Sequence, residues 1–149
     1  MPVRVQIEDF DLSTEIRQLR AGDSRVGAVA AFVGTVRDQN DGSKVSSMTL
    51  EHYPEMTEKS LEEIIAKAKA RWDIYDVLII HRVGLLEIED QIVLSAVTSA
   101  HRGEAFAACE FVMDYLKTLA PFWKKEETDK GSRWVDARLS DDEALKKWS

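Results

Sequence analysis

One proline fixes where a helix must end and a strand must begin in the last third of the chain. Pro121 has no amide proton and its ring disfavours helical geometry at Ala120, so a helix that arrives there stops. The next residues, Phe122-Trp123, predict an extended and buried segment. Lys117 before the break and Lys124 after it can therefore aim two ammonium groups at one place. Two solvated surface lysines are the competing interpretation, because lysine usually lies at the surface.

Helices are predicted where apolar residues recur at helical spacing, at residues 57–72 and 103–120, with shorter helices at 13–20, capped by Ser13, and from residue 140. The apolar stripe of the first long helix is Leu61, Ile64, Ile65, Ala68 and Trp72. That of the second is Phe106, Cys109, Val112, Met113, Leu116 and Ala120. Lys117 falls at the border of the second stripe, where its ammonium would be partly desolvated. A surface ion pair with Asp114 is the alternative.

Strands are predicted from β-branched and alternating apolar residues at 3–7, 26–36, 47–53, 76–84, 91–99, 122–127 and 133–137. The first of these has the pattern of an edge strand and the second that of a buried strand. A polar loop is expected at 37–44, and an acidic turn should join the strands at 76–84 and 91–99. Hairpin-like neighbours mixed with two long helices indicate an α+β fold with a mainly antiparallel sheet. No repeat or linker interrupts the chain, so one domain over residues 1–149 is expected.

Composition narrows the class of protein. Apolar residues make up 44% of the chain and charged residues 32%, a balance typical of a globular protein. Without a bilayer-length apolar run or a signal pattern, the protein is expected to be cytoplasmic and to bind no membrane. One cysteine, Cys109, excludes an internal disulfide and a Cys-rich metal site, and it is expected to pack as a small hydrophobe. The net charge of −7 argues against nucleic-acid binding and makes local basic clusters more informative.

Basic residues nevertheless gather at the ends of predicted elements. Arg37 ends a strand, and His101-Arg102 opens the second long helix, whose free amide protons and dipole favour an anion such as a phosphate. His52 and His81 lie in strand patterns and are interpreted as core or interface histidines. The set favours a pocket for an anionic ligand but names no reaction: Arg37, His101, Arg102, Lys117, Lys124 and Lys125.

Five stretches of the sequence indicate a reaction as well as a pocket, because together they match one known family in order along most of the chain. They are Phe32-Val-Gly-Thr-Val-Arg37, Leu50-Glu-His-Tyr-Pro-Glu-Met-Thr-Glu-Lys59, Val97-Thr-Ser-Ala-His-Arg102, Met113-Asp-Tyr-Leu-Lys-Thr-Leu-Ala-Pro-Phe-Trp-Lys124 and Gly131-Ser-Arg-Trp-Val135. In these stretches the chain resembles the MoaE family, the catalytic (large) subunit of molybdopterin synthase. The run around the two lysines is long and unusual, which makes the resemblance specific.

The resemblance implies an alpha/beta hammerhead fold and a sulfurtransferase that converts cyclic pyranopterin monophosphate into molybdopterin. It also implies the sulfur source, the thiocarboxylated C-terminal Gly-Gly of a small, ubiquitin-like, MoaD-like carrier. Family members form a homodimer with one carrier at each end, a heterotetramer, and the chemistry calls for no metal or cofactor. A non-catalytic module that only presents the carrier is the rival interpretation, although it would not need both lysines.

The same resemblance assigns roles to particular positions. Lys117 and Lys124 would be catalytic. The substrate-binding positions would be Thr35, Val36, Arg37, His101, Arg102, Lys125 and Glu126.

Overall fold

The computed structural model describes residues 2–135 and 139–148. Its strands are β1 (Val3–Gln6), β2 (Ala28–Thr35), β3 (Gln39–Asn40), β4 (Ser43–His52), β5 (Ile74–Arg82), β6 (Gly84–Glu87), β7 (Gln91–Ser99), β8 (Phe122–Thr128) and β9 (Gly131–Val135). Its helices are α1 (Leu12–Arg20), α2 (Met56–Arg71), α3 (Arg102–Leu119) and α4 (Leu139–Lys146).

The first sheet forms the centre of the fold, with the strand order β1-β5-β7-β2. β1 runs parallel to β5, and the other neighbours are antiparallel. α2 and α3 bury their apolar stripes against one face of this sheet, in a core that includes Leu61, Ile65, Ile79, Val97, Phe111 and Val112. α1 covers the other face, where Ile16 and Leu19 pack on a second cluster formed by Phe10, Leu78, Ile80, Leu94 and Ala96.

The second sheet has the order β3-β4-β8-β9, and β6 also pairs with β4. All its pairs are antiparallel, so the predicted α+β class with a mainly antiparallel sheet is confirmed. The prediction of a simple acidic turn between β5 and β7 is wrong, because the chain leaves the first sheet there and forms β6 in the second sheet. Leu86 explains the detour, since it is fully buried in a third apolar cluster with Val36, Met48 and Leu50.

Three local predictions need correction. α1 is capped by Asp11 instead of Ser13, because the Asp11 carboxylate accepts a hydrogen bond from the Thr14 amide at 3.0 Å. β2 is not a buried strand: it lies at an edge of the first sheet, and Phe32 is 43% exposed. Phe106 is 65% exposed on α3, because no element of the described residues packs over that side of the helix.

The polar segment at 37–44 contains a tight hairpin instead of an open loop. β3 pairs with the start of β4, which begins at Ser43. The turn residues Asp41 and Gly42 have φ values of 49° and 76°, left-handed conformations that Asp and Gly adopt readily. The β8–β9 hairpin is confirmed, although the predicted end of its second strand, residues 136–137, lies outside the described residues.

Candidate active site

A cavity of about 300 Å³ lies where the end of α3 meets both sheets. Its walls come from the last turn of α3, from the inner face of β4 and β8, and from residues of β2, β5 and β7. Apolar walls with a few charged groups are typical of a small-molecule site. The polar residues that line it include Thr35, Arg37, Asn40, Lys117, Lys124 and Glu126.

The break at Pro121 brings the two lysines to this cavity. α3 ends at Leu119, and Ala120 has the extended values φ −72° and ψ 136° that a following proline requires. Lys117 lies in the last turn of the helix, and β8 begins at once and places Lys124 opposite Leu50 of β4. Both lysines line the cavity, the arrangement that the break predicts, and their catalytic role stays a prediction.

Strand alternation separates the two neighbouring lysines of β8. Successive side chains of a strand point to opposite faces, so Lys124 and Glu126 share the face that lines the cavity. Lys125 points to the other face, where its ammonium lies 6.0 Å from the ring centre of Trp134. The structure therefore sets Lys125 apart from the cavity that its neighbours line.

Glu126 is a buried carboxylate whose charge is matched inside the protein. Only 2% of the residue is exposed. It accepts hydrogen bonds from Asn40 Nδ2 at 3.0 and 3.1 Å and from the Arg133 guanidinium at 3.2 and 3.3 Å. Arg133 also donates to the Asn40 carbonyl at 2.7 Å. This network ties β3, β8 and β9 together behind the cavity.

His81 also lines the cavity, although the sequence predicted a core or interface histidine. The residue is 4% exposed, and its ring stacks on Phe122 with 3.8 Å between ring centres. Burial, together with the nearby positive charge of Lys117, lowers the pKa of His81 to about 3, so the imidazole is neutral at physiological pH. No signal in the sequence separates a core histidine from one that also borders a cavity.

Other predicted positions lie outside this cavity. Val36 is buried in the third cluster, and its amide and carbonyl bond to Asp90 and Glu89 of the chain. His101 and Arg102 are exposed at the start of α3 and line a separate hollow. At 1.5 Å per residue, about 22 Å of helix separates Arg102 from Lys117. One copy of the chain therefore does not bring the predicted basic set together.

A groove of about 550 Å³ adjoins the cavity at Lys117, which lines both. The groove runs between the edge strand β2 and α3. Ala30 and Ala31 are its small residues, and the exposed rings of Phe32 and Phe106 stand beside them. Exposed apolar side chains grouped in this way mark a binding surface. Sequence periodicity missed the groove because it assigned Phe106 to the core.

The cysteine prediction can be compared directly with the structure. Cys109 is buried, its thiol donates to the Ser95 carbonyl at 3.4 Å, and burial raises its pKa, so it is the packed thiol that was predicted. Within residues 2–135 and 139–148, no His, Cys, Asp and Glu side chains form a group that could hold a metal ion. None of the helices in these ranges is both long and apolar enough to cross a membrane.

Comparison with known proteins agrees with this geometry. The model of the MoaE family, described as MoaE protein, matches residues 5–119. The molybdopterin synthase catalytic subunit of Ralstonia nicotianae is 66% identical over 98% of this chain and 83% of its own length. The molybdopterin biosynthesis MoaE protein from Burkholderia ambifaria has a TM-score of 0.85 at 60% identity, covering 98% of this chain and 96% of that one.

A more distant structure shares the fold. The complex of subunits 1 and 2 of molybdopterin-converting factor from Helicobacter pylori has a TM-score of 0.73 at 20% identity, covering 93% of this chain and 92% of that one. The family model and the matches at 60% identity and above show that the chain belongs to the MoaE family. The predicted family, the hammerhead-type fold and the prediction of an enzyme are thereby confirmed.

Proposed function

We propose that this chain transfers sulfur to cyclic pyranopterin monophosphate and so forms the dithiolene of molybdopterin. The proposed donor is the thiocarboxylate at the Gly-Gly end of a small, MoaD-like carrier. The main support is the position of Lys117, which lines both the cavity that Lys124 shares and the groove beside β2. A precursor bound in the cavity and a carrier tail lying in the groove would meet at this side chain.

The charges around the cavity suit both reactants. Phosphate and thiocarboxylate are anions. Among the described residues that line the cavity, the cationic side chains are those of Arg37, Lys117 and Lys124. The charge of Glu126 does not cancel them, since Arg133 already balances it. Arg37 can grip the precursor phosphate through charge-assisted hydrogen bonds. Holding two anions beside each other in fixed positions is a large part of what such a site must do.

The lysines are assigned to proton transfer. Sulfur attack on the precursor side chain requires the loss of oxygen leaving groups, and these leave readily only when they are protonated. An ammonium can give up a proton and take it back, which a guanidinium cannot do near neutral pH. Lys117 and Lys124 are therefore proposed as the acid–base groups, and Arg37 as the residue that holds the phosphate.

The groove beside β2 is proposed to receive the carrier tail. Among the described strands β2 pairs with β7 alone, so its other edge offers backbone groups to an extended peptide. The small side chains of Ala30 and Ala31 leave room for a backbone to approach closely, and a glycine-ended tail has no side chain to accommodate. The Helicobacter pylori neighbour is itself described as a complex of two subunits, which is in keeping with a small-subunit partner.

A homodimer, and with two carriers a heterotetramer, is part of the proposal. The outer face of the second sheet carries exposed apolar side chains, among them Leu85, Trp123 and Trp134, at 62%, 48% and 56% exposure. This is the surface on which a second copy would bury apolar area. His101 and Arg102 lie at the start of α3, about 22 Å along the helix from Lys117 of the same copy. In the proposed dimer they would contact a precursor bound in the cavity of the other copy.

The decisive experiment is reconstitution. The purified chain is mixed with thiocarboxylated carrier and precursor, and the dithiolene product is followed by mass spectrometry. Lys117→Ala and Lys124→Ala should each lower the rate about a hundredfold or more, the usual contribution of an acid–base group. Lys130→Ala, in the exposed β8–β9 turn, is the matched control and should keep the parent rate. No product from the parent chain under these conditions would refute the proposal.

Two variants test the assignments within the site. Lys125→Ala should be much milder than Lys124→Ala, since the strand turns Lys125 away from the cavity. Arg37→Ala should raise the KM for the precursor more than it lowers kcat, as expected of a residue that holds the phosphate in the ground and transition states alike. Equal losses at Lys124 and Lys125 would mean that the cavity is not where the chemistry takes place.

A further inference from the structure

The groove beside β2 has an acidic edge, formed by Glu110 and Asp114 of α3. Both residues line the groove, as Lys117 does. They lie one turn apart, and at about 100° per residue they project between the exposed Phe106 and the core residue Phe111. Like charges repel, so these two carboxylates by themselves would oppose the entry of an anion. The proposed carrier tail ends in such an anion, the thiocarboxylate.

Lys147 lies at this acidic edge and balances its charge. The Lys147 ammonium forms an ion pair with Glu110 and lies 3.4 Å from Asp114 Oδ2. The hydrogen bond to Glu110, supported by the charge of Asp114, raises the pKa of Lys147, so the ammonium stays charged across the neutral range. Among the described residues that border the groove, two carboxylates are thus matched by two ammonium groups, those of Lys117 and Lys147.

Trp148 holds Lys147 in this position. The Trp148 indole packs edge-on against Phe111, with 5.5 Å between ring centres, and its Nε1 donates to Asp114 at 2.6 Å. The Trp148 carbonyl accepts a hydrogen bond from Arg71 Nη1, also at 2.6 Å. An aromatic anchor and two hydrogen bonds therefore fix the backbone next to Lys147, which directly follows α4. The cation is placed before any ligand arrives, which lowers the cost of binding.

The pair between Lys147 and Glu110 contributes little to the stability of the fold. The two side chains are 45% and 56% exposed, and exposed ion pairs are worth little. The effect of the ammonium on the groove does not depend on that stability, because its removal changes the charge that an entering anion meets by one unit. The consequence of the pair is therefore expected in binding.

We propose that Lys147 belongs to the surface that receives the carrier: by neutralising the acidic edge, it lets the negatively charged end of the Gly-Gly tail pass along the groove to Lys117. This inference rests on the proposed function, since it takes the carrier tail as the occupant of the groove. Lys147 does not line the cavity in which the chemistry is proposed. It should therefore act on the Kd for the carrier and not on the sulfur-transfer step.

The test measures the Kd of the full chain for a MoaD-like carrier in two forms. One form ends in Gly-Gly with a free carboxylate, and in the other a terminal amide removes that charge. In calorimetric titrations at low ionic strength, Lys147→Ala should weaken binding of the carboxylate form about three- to tenfold and leave binding of the amide form unchanged. The loss should shrink in about 1 M salt, where the Debye length is only about 3 Å.

Two further variants serve as controls. Lys146→Ala removes the same charge from an exposed neighbouring residue at the end of α4, and it should keep the parental Kd. Adding Glu110→Gln to Lys147→Ala should restore most of the lost binding, because it removes one of the two charges that Lys147 balances. Thermal melting shows whether each variant is folded.

Other outcomes would overturn the inference. Equal losses for the two forms of the carrier would show that Lys147 only supports the shape of the interface, and a parental Kd for Lys147→Ala would show that it has no role. No recovery with Glu110→Gln would show that Lys147 does not act by neutralising the acidic edge. If Lys147→Ala does not fold, Lys147→Met, which keeps an unbranched stem, is measured in the same way. A parent chain that binds neither form would refute the proposed carrier site itself, a result distinct from all of these.

Discussion

Removing Arg133 should expose the cost of an unbalanced charge behind the cavity. In the part of the chain that the structure describes, Arg133→Ala would leave the Glu126 carboxylate, only 2% exposed, with hydrogen bonds from Asn40. Breaking a buried ion pair from one side costs about 3–5 kcal/mol of the free energy of unfolding. The Arg133 side chain is 33% exposed and the Asn40 bonds survive, so we expect a loss of about 2–4 kcal/mol. For a chain of this length this corresponds to a fall in Tm of about 5–12 °C.

Urea unfolding and thermal melting measure this loss, and the chain offers a matched control. Arg25 forms a comparable pair with Asp23 at 2.8 Å, but its side chain is 65% exposed. Arg25→Ala should therefore leave Tm close to that of the parent, because solvent screens an exposed pair. Adding Glu126→Gln to Arg133→Ala should restore part of the stability, since no buried charge is then left without its partner. If Arg133→Ala and Arg25→Ala destabilise the protein equally, burial of Glu126 is not the source of the effect.

Three further outcomes are expected. Lys117→Arg should abolish turnover nearly as completely as Lys117→Ala in the reconstitution assay, because a guanidinium keeps the charge but does not give up its proton. Near-parental turnover of Lys117→Arg would show that Lys117 contributes only its positive charge. Trp148→Ala should cost about 2–4 kcal/mol in urea unfolding, because the indole contacts Trp72 and Phe111 edge-on, at 5.4 and 5.5 Å between ring centres, and donates to Asp114 at 2.6 Å. Folding lowers the pKa of His81 from 6.5 to about 3, so between these pH values the imidazole is protonated in the unfolded chain but not in the folded one. The free energy of unfolding should therefore fall as the pH falls from 6.5 towards 3. His81→Gln should flatten that decline in urea titrations at a series of pH values, and an unchanged slope would contradict the assignment.

The parts of the site that the sequence predicted are those set by local backbone chemistry. Proline disfavours helical geometry at the residue before it, so the break between Lys117 and Lys124 could be inferred without knowing the rest of the fold. The outward direction of Lys125 was also available from strand alternation, since Lys124 and Glu126 have the same parity. The family resemblance nevertheless assigned both Lys125 and Glu126 to substrate binding, because a sequence motif does not show which face of a strand a side chain occupies.

The parts that sequence reasoning missed depend on contacts between distant elements. The sheet change at β6 rests on the burial of Leu86 against residues far away in the chain, which local periodicity cannot show. An exposed Phe106 on the groove has the same helical spacing as a core residue, so hydrophobic pattern does not separate a core from a binding surface. The sequence also did not show which cavity His101 and Arg102 border. Their position at the start of a helix was predictable, but the hollow that they line is separate from the cavity at Lys117.

The spacing of the two lysines shows why the helix break matters for the chemistry as well as for the fold. Lys117 depends on helical phase, in which each added residue turns the side chain by about 100°. Lys124 depends on strand parity, in which each added residue reverses the face. One residue inserted between Pro121 and Lys124 would leave Lys117 in place but turn Lys124 towards the side that Lys125 now occupies, beside Trp134. A proline that ends the helix and begins the strand within two residues keeps both phases fixed relative to each other, and so keeps both ammonium groups on one cavity.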